Sequence, residues 1–240
     1  MNASEAEKNR ERCGRFFPHT GHCAGRVPTA ALAAALLTLW ACVALAGAGP
    51  VLDLPPLWAP GHPGWKAKSF VGQTVYTPVP AEGLLLAESE AAASGLFFEQ
   101  AVDLRATPWL NWTWKAGNVL ANVNEREKSG DDYPARVYVV AKGGLAFWKT
   151  KALSYVWSSA EPEGAMWPSA FTSNARMIAV RSGPTRLGEL LTERRNVRED
   201  WRRAFGEDID TLDAVAIMTD TDNSGQRAKA WYGRVWFSGE

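Results

Sequence analysis

The sequence predicts an all-β chain: a β-sandwich, jelly-roll-like, with one short α-helix inserted among its strands. Three observations carry this. Apolar and polar residues alternate over short runs, most clearly in Trp109–Lys115, where Leu110, Trp112 and Trp114 share one face. Such runs recur at near-regular spacing with Gly, Pro and Asn between them, as in a sandwich. A single segment changes period: Asn196 followed three positions later by Glu199 is a capping box, Val197, Trp201, Ala204 and Phe205 fall on one helical face, and Gly206 is placed to end the turn.

In chain order, residues 1–48 read as a leader. The uncharged stretch Pro28–Gly49 follows a segment with five Lys or Arg against three Glu, and small residues at Ala44–Ala46 or Ala46–Ala48 suit a cleavage site. The stretch is also long enough to span a bilayer, so a cleaved signal peptide and an inner-membrane anchor both remain open. Either way the remainder is expected to be exported and periplasmic or otherwise extracytoplasmic, touching membrane only through this segment. Residues 49–64, with several prolines, read as an extended linker without regular structure of its own. Residues 65–240 form one domain, large enough to bury a single core.

Within it, Thr74–Val79, Gly83–Glu88 and Leu96–Val102 are short candidate strands. Arg136–Lys142 is apolar on both faces, as in a central strand, and Ser154–Trp157, Ala175–Arg181, Leu212–Thr219 and Ala228–Phe237 continue the series.

Composition removes whole classes of chemistry. All three cysteines, Cys13, Cys23 and Cys42, precede the cleavage region, and the three histidines, His19, His22 and His62, all precede Trp65. Ser-His-Asp and Cys-His catalysis, His-ligated zinc and two-His-one-carboxylate iron are therefore excluded from the folded region. No zinc, haem or nucleotide is implied. Beyond residue 48 remain 21 of the 26 basic and 23 of the 26 acidic residues with no polybasic block, so nucleic acid is not an expected partner. Carboxylate, Lys, Arg, Tyr and oxygen-ligated cation chemistry is left.

The polar clusters sit at element ends. Asp220-x-Asp222-x-Ser224-Gly225 matches the first half of a calcium loop, with Asp220, Asp222 and Ser224 as metal ligands. The twelfth position is Trp231 where a helical calcium site needs Glu, so remote carboxylates would have to complete a site in a hairpin. An ordinary polar turn, with Asp and Asn bonding their own backbone, is the competing reading. Asp131, Asp132 and Arg136 open a strand, with Asp132 and Arg136 expected on one face. Glu193 and Arg195 precede the helix. The candidate ligand-binding set is thus Asp131, Asp132, Arg136, Glu193, Arg195, Asp220, Asp222 and Asn223, and Asp220 is expected to touch Arg136 or Arg195. Trp112, Trp114, Trp157, Trp201 and Trp236 read as core, whereas Trp109, Trp148, Trp167 and Trp231 are candidates for exposed indoles that stack on sugar rings.

At Trp112-x-Trp114-Lys115, Gly130-Asp131-Asp132-x-x-Ala135-Arg136, Tyr155-x-Trp157, Glu193-x-Arg195-Asn196-Val197-x-x-Asp200, Phe205-Gly206 and Asp220–Asn223 the chain resembles the bacterial domain-of-unknown-function 3047 family, DUF3047. The resemblance spans essentially Trp65–Phe237 and implies an exported β-rich domain without an assigned activity. The functional expectation is a non-catalytic binding module for carbohydrate, a cell-envelope glycan or a small polar ligand. The alternatives are a glycan hydrolase or lyase using Asp131, Asp132, Glu193 or Asp220, and a structural envelope protein.

Overall fold

The computed structural model describes residues 49–144 and 147–240; the leader expected at 1–48 lies outside them. Among the described residues no helix is long and apolar enough to cross a membrane. The strands are β1 (Val51–Asp53), β2 (Trp65–Val71), β3 (Val75–Val79), β4 (Leu84–Glu90), β5 (Ala93–Asp103), β6 (Trp109–Ala116), β7 (Ala135–Ala141), β8 (Lys151–Ser158), β9 (Met166–Pro168), β10 (Ala175–Ser182), β11 (Leu191–Asn196), β12 (Thr211–Asp220) and β13 (Arg227–Ser238), with helix α1 (Val197–Phe205) between β11 and β12. They form a β-sandwich. One sheet runs β11-β6-β13-β4-β3, with β1 also paired to β13; the other runs β2-β5-β12-β7-β8-β10-β9. All pairings are antiparallel except β8 with β10.

The period-two patterns place large rings between the sheets. Trp112 of β6 packs against Tyr155 of β8 at 5.3 Å between ring centroids, and Trp114 against Trp157 at 6.0 Å, so two aromatic pairs span the core. Such pairs contribute about 0.5–1.5 kcal/mol each beyond the area they bury. The helix forms as its caps predict. The Asn196 side chain accepts from the Glu199 amide at 3.2 Å and its Nδ2 donates to Glu199 Oε1 at 3.0 Å. Gly206 closes the C-terminus in the left-handed region (φ 72°) and donates its amide to the Arg202 carbonyl.

Three expectations need correction. Residues 49–64 are not without regular structure, because Val51–Asp53 adds a strand to β13 and Leu54 and Leu57 are buried. Trp236 lies on the outer face, half-buried under the Arg234 guanidinium at 4.4 Å. The cause is a bulge: Tyr232 pairs with Trp114 but Val235 with Trp112, so β13 holds one extra residue and the faces swap beyond it. Gly233 lies in that bulge, where a Cβ would come within 2.1 Å of Thr113 Oγ1. Trp167, expected among the exposed indoles, is buried beneath the loop preceding β7, donating to the Glu125 carbonyl at 3.1 Å.

Candidate functional site: a groove on the outer face of the seven-stranded sheet

Strand β12 ends at Asp220 and the chain turns through Thr221–Gln226 into β13, crossing from one sheet to the other, so the expected hairpin is instead a connection between sheets whose two strands do not pair. The turn closes with the Gly225 amide donating to the Thr221 carbonyl at 2.9 Å, Gly225 taking a φ of 67° that favours glycine. Thr221 anchors it from below, its amide bonded to the Ala92 carbonyl and its hydroxyl 2.9 Å from Ser89 Oγ.

The loop before β7 meets this turn. Asp132 was expected on a strand face beside Arg136, yet residues 131–134 precede the strand and the Asp132 side chain turns toward the β12–β13 loop instead. One carboxylate oxygen accepts from the Asn223 amide (3.2 Å) and Nδ2 (3.0 Å), the other from the Ser224 amide (2.6 Å). Asp131 accepts from the Tyr133 hydroxyl at 2.9 Å and from Ser169 Oγ at 3.3 Å. Arg136, on the outer face of β7, donates from Nη2 to Asp220 Oδ2 at 2.7 Å, and its guanidinium lies 4.5 Å from the centre of the Tyr133 ring. Three carboxylates, Asp220, Asp131 and Asp222, thus act on one guanidinium, with Asp220 only 2% exposed.

Burial pushes the Asp220 carboxyl up to about 8; Arg136 pulls it down, but Asp132, Asp131 and Asp222 add to the rise. Burial and the neighbouring Asp132 likewise raise Asp222. Burial opposes charge on Arg136 too, yet Asp220 and Asp131 hold it above its ordinary value. The motif residues are therefore coupled electrostatically as well as by hydrogen bonds.

Glu193 and Arg195 are not part of this cluster. On β11 in the other sheet, Glu193 pairs with Arg181 of β10 at 2.7 Å and accepts from Trp114 Nε1 at 3.1 Å, tying the sheets together. Arg195 forks onto Asp200 of α1 at 2.8 and 2.5 Å. Both are paired apart from the Asp220 cluster, and Arg195 lines a separate cleft of about 260 Å³ with Trp109, Arg194 and Asp200.

The cluster closes one end of a groove of about 330 Å³ running across the strands. Its floor is built from outward positions: Ala93 of β5, Met218 of β12, Tyr138 of β7, Ser154 of β8 and Met177 of β10. Tyr138 pairs with Ala216 on one side and Ser154 on the other, and Ser154 with Met177, so the floor follows sheet register. Phe70 of β2 and Phe171 line the groove as well, 52% and 56% exposed. The sequence reading missed these rings, the small-residue floor and Ser169. The usable signal was that β7, β8 and β12 are apolar on both faces, so the outer one had to be covered or to hold a ligand. A larger depression of about 680 Å³ lies over β4 and β13, but its charges are spent on Arg227–Glu90 and Lys229–Glu88 pairs.

Glu125 braces the loop before β7. Its carbonyl accepts from Trp167, and its buried carboxylate accepts from the Ser158 hydroxyl and, at 2.6 Å, from the Ser159 amide. Burial raises this carboxyl above the ordinary range despite those donors. The folded state then holds the proton longer than the unfolded one. The stability this contributes is complete below the ordinary carboxylate range and is lost as pH rises through the raised value. Glu125→Gln is expected to flatten that fall in denaturant titrations across pH, whereas an unchanged slope would assign the fall to other groups.

Compared with known proteins, residues 63–236 match the family described as "Protein of unknown function (DUF3047)". The chain belongs to this family. No curated protein matches it in sequence. Among solved structures, it is similar to a mutant of a carbohydrate binding module family 29, at 10% identity and a TM-score of 0.41 over 80% of this chain and 92% of that one. A second mutant of that module, complexed with mannohexaose, gives 10% and 0.40 over 80% and 92%. The family 11 carbohydrate-binding module from Clostridium thermocellum, in complex with a β-1,3-1,4-mixed-linked tetrasaccharide, gives 9% and 0.40 over 79% and 95%.

Proposed function

We propose that this DUF3047 domain is an exported, non-catalytic module that binds a glycan chain along the outer groove of its seven-stranded sheet. The observation that carries the reading is the groove itself: two exposed rings, Phe70 and Phe171, beside a floor of small and apolar side chains that ends in a buried charged pair. Flat rings suit the apolar faces of sugars. At the groove's end the Arg136 Nε is a buried donor without a protein partner, and a hydroxyl would supply its acceptor. Of the expected indoles, Trp148 is exposed as read (64%) but lines a separate depression beside Lys142, Lys149 and Lys151; in the groove the stacking role falls to phenylalanines. Trp109 and Trp231 are half-buried under the Arg194 guanidinium at 3.9 Å and the Lys115 ammonium at 4.0 Å, closer than the Lys68 and Lys128 ammoniums that lie 5.1 and 5.4 Å from the more exposed Phe70 and Phe171 rings.

A glycosidase needs two carboxyls set apart on either side of a scissile bond. Here the Asp132 oxygens accept from the Asn223 and Ser224 amides of the β12–β13 loop and Asp220 is paired to Arg136, so the arrangement favours holding over cleaving.

A glycan-array screen of the purified protein, followed by calorimetry on the best ligand, tests the reading. Phe70→Ala combined with Phe171→Ala is expected to weaken binding about tenfold or more, the size of a lost aromatic anchor. Both rings are exposed, so the melting temperature should hold. A full screen without binders, or undiminished affinity in the double variant, would overturn the groove as a glycan site. Export is tested separately: full-length protein found soluble in the cytoplasm on fractionation would remove that part of the proposal.

A further inference from the structure

Asp132, Asp220 and Asp222 each present a carboxylate oxygen such that the three lie within 4.8 Å of one another. That span is about twice a calcium–oxygen distance, so one ion between them can touch all three. Two further facts point the same way. Asp220 Oδ1 is buried and has no hydrogen-bond donor. So is the hydroxyl oxygen of Ser224, a residue whose amide is bonded to Asp132. Buried acceptors without donors are costly, and a cation supplies what both lack. The charge is also unbalanced: Arg136 is the guanidinium within the cluster and reaches Asp220 through the other oxygen.

We propose that the β12–β13 loop and the loop before β7 together bind one calcium ion through Asp132, Asp220, Asp222 and Ser224. All donors are oxygens, which suits a hard cation, and calcium's irregular shell of six to eight ligands tolerates a site with solvent at one side. That open side is Asp222, half-buried and lining the groove. Asp132 is the remote carboxylate that the hairpin motif required, and its bonds to Asn223 and Ser224 fix the loop for the ion. The site stands whether or not the groove holds a glycan.

The test is a calcium titration of chelator-treated full-length protein, read by calorimetry and thermal melting without any sugar. Calcium at about a hundred times its dissociation constant should raise the melting temperature by about 5–10 °C, and magnesium by much less. Asp222→Asn, which keeps a side chain able to accept from Asn223, should weaken calcium binding about tenfold or more and melt no lower than the parent in chelator, because it removes repulsion. Asp132→Asn is the second variant, expected to lose binding even if its loop loosens. No heat and no shift with calcium would overturn the site, as would a larger shift with magnesium or calcium binding unchanged in both variants. Stabilisation by acid alone would show that the carboxylates share a proton instead.

Discussion

Arg136→Ala, measured in chelator at a pH above the Asp220 value of about 8, where that carboxyl is ionised, is expected to cost about 3–5 kcal/mol of stability, the usual consequence of removing one partner from a buried ion pair. Arg136 and Asp220 side chains are 11% and 3% exposed and 2.7 Å apart, so solvent does little to screen the loss. The substitution leaves Asp220 among Asp131, Asp132 and Asp222 without the guanidinium, and takes the cation from over the Tyr133 ring. Adding Asp220→Asn should restore much of the stability by removing the stranded charge. In a double-mutant cycle the two changes should couple by well over about 0.5 kcal/mol, the range within which independent sites add. Simple additivity would show that the pair does not hold β7 to β12, and the fold there would rest on backbone pairing alone.

Much of the architecture was legible because it rests on local patterns. The alternation in Trp109–Ala116 survives unchanged as β6, and the capping box starts α1 at Val197 and Gly206 stops it. The strands that escaped notice lack that alternation of apolar and polar residues. β2 is an edge strand, exposed at every position after Trp65. β11 also lies at an edge and points Glu193 inward, a common device against edge-to-edge pairing, and so it reads as a charged loop. β1 and β9 are three residues each and exist through pairing to longer neighbours.

The site divides along the same line. Asp131, Asp132, Arg136, Asp220, Asp222 and Asn223 converge because the entrance of β7 and the exit of β12 sit on neighbouring strands, which motif position at element ends could suggest. Glu193 and Arg195 look identical in sequence, but their partners Arg181 and Asp200 come from β10 and α1. Only tertiary packing decides that. Phe70 and Phe171 carry no periodic signal, lying in an edge strand and a loop, so the tryptophans pointed to an exposed ring at Trp148 but not to the rings of the groove.

Trp201→Ala is the second large effect expected. α1 is a nine-residue helix, too short to be stable by itself, so its order must come from the face it buries. Val197, Trp201 and Ala204 supply that face, and Trp201, 1% exposed, joins the main core. Its ring packs on Phe205 at 4.7 Å, and its Nε1 donates to Glu207 at 3.3 Å, which fastens the turn after the helix. Truncation should cost about 3–5 kcal/mol, through lost burial and the cavity left behind. In a domain of this size that lowers the melting temperature by about 6–20 °C. Trp201→Phe, which keeps most of the volume but loses the Glu207 bond, should cost clearly less. A loss under about 0.5 kcal/mol for the alanine variant would be the behaviour of a surface position. It would mean that α1 is held by its caps and the Arg195–Asp200 pair rather than by the ring at its centre.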